Sequence, residues 1–536
     1  MTKRHYDWVI IGSGFGGSVS AHRLTQKGYE VLVIEKGRRF APGDFPKTNW
    51  DLKRWMWNPG IGLKGIFKMT FFKHMTVCSG VGVGGGSLVY ANVLAVPNRA
   101  FFTATSWGNL ANWQDELAPH YTMASRMLGA TKNPLMTRGD HIIKEIAENI
   151  GRADEFEPID VGVFFGEPNK KVPDPYFDGQ GPDRVGCNFC GACMTGCRVG
   201  AKNTLDRNYL YLAEKHGAEV LAETEVIAVR PRGGGGYRVE TKASFGKARK
   251  GELTADRVIF AGGVLGTIPL LLQMKEDPSG LPKLSDRLGD FVRSNNEALF
   301  AVITPQKGEN LSKGVAVTSI LHTDEHSHIE PARYGAGSGF FRTLALPHAP
   351  GPHAIARLWG ALRLFLRHPI RWIRAMLVPD FAKQCQFLIY MRTLEGTLRM
   401  KLGRDLRTGL RRGLVTEVDD PGQAPSPFME EATDLANRFA DKVEGVTTTL
   451  LTETLFGVPT TVHILGGACM GDSPRAGVIN DKHEVFNYPG LYVIDGAAIS
   501  ANPGVNPALT ITALAERAMS LIQEKHTGAT SNLRYG

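Results

Sequence analysis

The stretch from Tyr6 to Gly37 limits what this chain can fold into more than any other. Asp7-Trp8-Val9-Ile10-Ile11 is a short apolar run that suits one buried strand, and it leads straight into Gly12-Ser13-Gly14-Phe15-Gly16-Gly17. Ser18 to Lys27 then reads as a helix with Ala21 and Leu24 on its apolar side, closed by Gly28. Glu30 to Ile34 gives a second apolar strand, and Glu35 ends it. Strand, glycine turn, helix, strand, acid is the order of a unit that binds an adenine dinucleotide. Gly12 permits the tight turn, Gly14 lets the backbone approach a pyrophosphate, and Gly17 lets helix and strand pack closely. The helix N-terminus turns free N–H groups toward the phosphates, with Phe15 in the turn before it among the cofactor-binding residues, and Glu35 is placed for the ribose hydroxyls.

At 536 residues the chain is too long for a single hydrophobic core, so two or more domains are expected. Glycine stands at 62 of 536 residues, above the usual level of about 7%, and no low-complexity tract accounts for it. Tight turns and close backbone approaches to a ligand do. The net charge of +9 is spread along the chain without a Lys/Arg-rich run, which excludes a nucleic-acid partner from the reading. No apolar run reaches the ~18 residues of a membrane span. The first apolar run is short, carries Asp7 and opens the fold, so it does not read as a signal peptide. The expected location is therefore the cytoplasm, with contact to the inner face of the membrane through elements described next.

Asn49 to Thr76 mixes Trp50, Trp55, Trp57, Phe67 and Phe71 with lysines and glycines. Such a stretch suits a lid over an apolar site, a membrane-facing loop, or plain packing against a second domain. Between Ala354 and Leu377, Arg363, Arg367, Arg371 and Arg374 form one helical stripe that Pro369 should break in two. Such a helix can lie on an anionic membrane surface or simply turn its arginines to water.

A second glycine run, Gly80 to Asn92, places five glycines in the seven positions from Gly80 to Gly86. It offers bare backbone to a further part of the cofactor, with Gly80, Gly84, Gly85, Ser87 and Asn92 as its binding residues. Val226, in a strand from Glu219 to Val229, and Gly262, in the turn Ala261 to Thr267, join that set. The nucleotide fold is thus discontinuous in sequence.

Cys187, Cys190, Cys193 and Cys197 lie within eleven residues. The compact spacing is similar to a bacterial ferredoxin segment and predicts iron–sulfur ligands, although Arg198 stands where that segment has proline. Free or redox thiols, zinc and a disulfide remain as alternatives.

Near the C-terminus, His463-Ile464-Leu465-Gly466-Gly467 precedes a buried strand, Leu491 to Ile494, that ends in Asp495-Gly496. Pro507 then suits the first residue of a helix, leaving Asn506 at its N-terminal end, where the dipole favours negative charge. Taken with Gly12–Gly17, Glu35, Gly80–Ser87 and Gly504–Arg517, these blocks resemble the glucose–methanol–choline flavin oxidoreductases, in particular their bacterial cholesterol-oxidase-like branch. The resemblance covers nearly the whole chain and is weakest from Leu299 to Gln384. It implies a noncovalent FAD, hydride transfer from an alcohol carbon to flavin N5, and a ketone or aldehyde product. It makes His463 the base or hydrogen-bonding partner of the substrate hydroxyl and Asn506 the second active-site position. Asp495, Gly496, Asn506 and Pro507 would hold the flavin end. A cysteine run in a similar place holds an iron–sulfur cluster in the large subunits of bacterial sugar dehydrogenases, which implies an electron-acceptor protein as partner. The steroid enzymes also use a glutamate in the substrate domain, for which Asp380 and Glu395 are candidates that no motif anchors.

The expected architecture is α/β: a discontinuous Rossmann-type FAD-binding domain (1–100, 200–298 and 455–536) and an α+β substrate or cap domain (101–199 and 299–454) with an antiparallel sheet, helices and the cysteine segment 187–197. The expected activity is oxidation of a hydrophobic, sterol-like or other apolar alcohol. An electron-transfer flavoprotein or subunit centred on the cysteines is the alternative.

Overall fold

The structure is a computed structural model that describes residues 4–246, 250–418 and 424–525. Among the described residues two seven-stranded sheets organise the chain. In the first, Glu219–Leu221, Val31–Ile34, His5–Ile11 and Lys250–Phe260 run parallel in that order, and Leu491–Val493 adds to Lys250–Phe260 in parallel. Tyr237–Ala243 and Thr224–Pro231 complete it as an antiparallel hairpin. Val31–Ile34 is buried at all four positions, as a parallel strand covered on both faces must be. The helix Phe15–Gln26 packs on this sheet, and Gly16 shows how tightly: a Cβ there would lie 1.7 Å from the carbonyl oxygen of Ile494.

The second sheet is antiparallel throughout, in the order Ala345–Pro347, Val446–Leu450, Ala298–Ile303, Cys385–Arg392, Ser327–Ala332, Ser319–His322 and Phe156–Pro158. Helices Arg138–Asn149 and Glu430–Lys442 close one face of it through Ile142, Ile143, Ile146, Leu435 and Phe439. This arrangement, a Rossmann-like parallel sheet beside an antiparallel sheet with helices, is the expected α/β class.

Several local expectations shift. The run Asn203 to Lys215, which reads as one helix in sequence, makes a 3-10 turn at Leu205–Arg207 and becomes α-helical only at Tyr209, with Arg184 Nε reaching Asn203 Oδ1 at 3.1 Å before it. The aromatic stretch 49–76 is chiefly packing: Trp55 stacks on Phe67 at 4.6 Å within a cluster that includes Phe40, Phe45 and Tyr334. The arginine-striped segment is indeed two helices, Ala354–Arg367 and Pro369–Met376.

Candidate active site

A cavity of about 590 Å³ runs between the two sheets. Gly12, Gly14, Phe15, Glu35, Val226 and Gly262 line one end. Gly80, Gly85, Asp495 and Gly496 line its middle, where Asp495 bonds to the turn that follows Gly262, and His463, Asn506 and Pro507 the other end. The two glycine runs meet there: a Cβ on Gly85, whose φ is +54°, would lie 2.6 Å from Gly14 Cα. Gly14 and Gly86, in contrast, border open space, since the nearest atoms to a Cβ on either would be 3.9 Å away. Bare backbone thus faces a space that side chains would fill, which fits a dinucleotide pyrophosphate. Glu35 is buried and fixed from behind, accepting hydrogen bonds from Ser13 Oγ (2.8 Å), Ser13 N (3.2 Å) and Gly37 N (2.8 Å).

Gly17, Gly84, Ser87 and Asn92 do not line the cavity. Gly17 works from behind, since a Cβ there would sit 2.1 Å from the Gly12 carbonyl oxygen. Ser87 spends its hydroxyl inside the protein, donating to Gly84 O at 2.7 Å and accepting from Leu205 N at 3.0 Å. Asn92, at φ 72°, is fully buried between the lining residues Ala91 and Val93. Asp495 ties two turns together: Gly263 N (2.8 Å), Thr267 Oγ1 (2.6 Å) and Ala497 N (2.7 Å) all donate to its carboxylate. Burial pushes its acid up to about 6 even so.

At the far end, His463 Nδ1 lies 2.9 Å from Glu297 Oε1. Glu297 is 2% exposed and also accepts from Thr461 Oγ1 and Val462 N, each at 3.0 Å. A carboxylate only accepts, so the ring donates from Nδ1 and leaves Nε2 as an acceptor. Asn506 Nδ2 donates to Glu330 Oε2 at 3.4 Å, while Asn506 Oδ1 has no protein partner. Glu330 is wholly buried on the strand Ser327–Ala332, with His328 Nε2 at 3.5 Å from its other oxygen. The helix Ala508–Ser520 begins just behind, so its N-terminal N–H groups face the same space.

Glu297 and Glu330 were not singled out by motif. Asp380 and Glu395 are placed elsewhere: Asp380 accepts from Gly337 N at 3.0 Å, and Glu395 accepts from Asn502 N at 3.1 Å and pairs with Arg293. Neither lines the cavity.

The cysteine segment does not fit the metal group expected of it. Among the described residues no group of three or more His, Cys, Asp or Glu side chains is placed to hold a metal ion. Cys190 is exposed, whereas Cys187 and Cys193 are buried in an apolar cluster with Val161, Val163 and Val315. Burial pushes the Cys193 thiol up to about 11 and that of Cys187 higher still. No disulfide joins these cysteines either. Their segment is fastened instead by the buried Lys202, whose Nζ donates to the carbonyls of Cys193 (2.9 Å), Tyr90 (2.9 Å) and Leu88 (3.2 Å).

Residues 181–311 and 412–515 match the GMC oxidoreductase family, and residues 10–43 match the NAD(P)-binding Rossmann-like domain. The chain is 43% identical over 534 residues to a cholesterol oxidase of Acinetobacter baumannii, covering 97% of this chain and 95% of that protein. It is equally 43% identical over 537 residues to a cholesterol oxidase of Mycobacterium tuberculosis, covering 98% and 92%. Pyridoxine 4-oxidase from Mesorbium loti shares the fold at a TM-score of 0.60 and 13% identity, over 97% of this chain and 99% of that one.

Proposed function

The chain belongs to the GMC oxidoreductases and is an FAD-dependent enzyme of alcohol oxidation; from that premise we propose that its substrate is a hydrophobic, sterol-like alcohol oxidised between His463 and Asn506. One observation carries this reading. Two polar side chains that line the cavity, His463 and Asn506, are each hydrogen-bonded to a buried glutamate.

FAD, when bound, supplies the hydride acceptor, and Gly12, Gly14, Phe15, Glu35, Gly80, Gly85, Val226, Gly262, Asp495, Gly496 and Pro507 would hold it. Glu297 keeps His463 in the tautomer whose Nε2 takes the proton from the substrate hydroxyl. Asn506 commits one amide N–H to Glu330 and keeps the second for the substrate oxygen. Tyr334, Phe341, Phe387, Ala301 and Leu450 surround the carbon skeleton and exclude water. The two bacterial cholesterol oxidases support a sterol-shaped skeleton. In the same reading, segments 1–100, 200–298 and 455–536 form the FAD-binding domain, and 101–199 with 299–454 the substrate domain. No electron relay through the cysteines enters it.

Anaerobic mixing with a panel of apolar secondary alcohols is expected to bleach the oxidised flavin absorbance. Bleaching by dithionite but by no alcohol of the panel would overturn the proposal.

A further inference from the structure

Helices normally turn their apolar side inward. Ala354–Arg367 does the opposite. Ile355, Leu358, Trp359, Leu362 and Leu366 follow one another at helical spacing and all are exposed, Trp359 at 65%. The inward side carries Ala361 and a charged residue, Arg357, whose guanidinium donates to Thr454 O (2.8 Å), Gly351 O (2.9 Å) and Leu455 O (3.2 Å). Pro369–Met376 continues the pattern. Ile370, Ile373 and the following Leu377 are exposed, at 71%, 48% and 74%, while Trp372 and Ala375 are buried. A monomer in water leaves so continuous an apolar strip uncovered only where something docks on it.

Charge says what docks. Arg363, Arg367, Arg371 and Arg374 flank the strip together with His353 and His368, and no acidic residue occurs between Ala354 and Leu377. At 14 and 8 residues both helices are too short to cross a bilayer. Apolar side chains for the acyl boundary, set among basic groups for the headgroups, fit a helix pair lying in the interface.

The position agrees. Trp372 and Ala375 pack in one cluster with Ala301, Ile303 and Val446. Ala301 lines the cavity, as do Thr448, Thr449 and Leu450 of the strand Val446–Leu450. The strip therefore lies over the apolar wall of the site. We propose that helices Ala354–Arg367 and Pro369–Met376 dock the enzyme on an anionic lipid bilayer, from which its apolar alcohol is drawn. The docking rests on the helices alone; the origin of the alcohol rests on the function proposed above.

The test is co-sedimentation of the FAD-loaded protein with phosphatidylcholine vesicles, with and without phosphatidylglycerol. Wild type should bind the anionic vesicles better, and high salt should weaken that preference. The double variant Trp359→Glu/Ile370→Glu should lose binding by roughly tenfold or more. Arg363→Gln/Arg367→Gln/Arg371→Gln/Arg374→Gln should bind both vesicle types alike. Flavin absorbance and flavin reduction by a water-dispersed alcohol should be unchanged in both variants, which shows that they fold. Wild type that ignores anionic vesicles, or a double variant that binds as well as wild type, overturns the docking. So does a wild-type dimer, seen by ultracentrifugation without vesicles, that the double variant reduces to a monomer. Vesicle binding that behaves as stated, with no alcohol reducing the flavin of any variant, would instead strike the substrate reading.

Discussion

The two ends of the cavity are built by opposite means. At one end glycine backbone faces the space, and the nearest side chains, such as Glu35 and Ser13, bond to each other. At the other end side chains face the space, and three glutamates stand buried behind the wall, Glu297 (2%), Glu330 (0%) and Glu453 (1%). The first end can hold a phosphate group on backbone N–H groups, with no cationic side chain in the turn Gly12 to Gly17 itself. The second keeps costly charges out of water so that a histidine and an amide are aimed correctly. What is conveyed by shape at one end is conveyed by buried electrostatics at the other.

The sharpest break would come from filling the glycine end. Gly14→Val puts a side chain into open space that no protein atom occupies, so the protein should fold, with an unchanged far-ultraviolet circular dichroism spectrum, yet purify without flavin colour. Retained flavin would deny that this turn is the cradle. Next is His463→Ala, which should keep FAD and lose flavin reduction by alcohol by about 10²–10⁴-fold in stopped-flow. Glu297→Gln should lose less, on the order of tenfold to a hundredfold, because the ring stays but its tautomer is no longer imposed. Equal losses for the two would make Glu297 part of the chemistry itself.

Glu453 sharpens the contrast through stability. Burial pushes its acid up to about 8, far above the usual carboxylate range, and Thr460 N is its hydrogen-bond donor at 3.2 Å. A folded-state value above the unfolded one means that its stabilising contribution is complete below the ordinary pKa and is lost as pH rises through about 8. Glu453→Gln should therefore melt at a higher temperature than wild type at alkaline pH, with the gap closing toward pH ~5. A constant gap would place the effect in packing. The smallest effect is expected of Cys190→Ser, at an exposed thiol outside both ends. Visible spectrum and alcohol reduction should not change, and loss of an iron signal would restore the metal reading.

Backbone requirements were legible in the sequence because only glycine meets them. Gly12, Gly14, Gly17, Gly80 and Gly85 could be read one by one, as could the acid after the second strand. The parallel strands were legible from their unbroken apolar runs. Glu297 and Glu330 were not, because a buried acid has no local signature: its partners, His463 and Asn506, lie 166 and 176 positions away. The cysteine run draws no support as a metal site, for the converse reason. Their spacing is local, but whether four sulfurs meet depends on how Lys202 and the Val161–Val163 cluster hold the segment. The two-helix break at Pro369 could be foreseen; which face of the pair turned outward was fixed by Arg357 reaching inward.

Glycine 16 presses on the carbonyl of Ile494, and Asp495 closes the turn at Gly263. Synthesis therefore imposes a wait. At about 5–20 residues per second, a ribosome needs roughly half a minute or more to go from the first glycine turn to the strand that seals it. During that interval the N-terminal unit has neither its last parallel strand nor the helix Ala508–Ser520 against Phe15–Gln26. Cofactor capture is consequently an event of the finished chain, and nascent chains stalled before Leu491 should emerge without flavin.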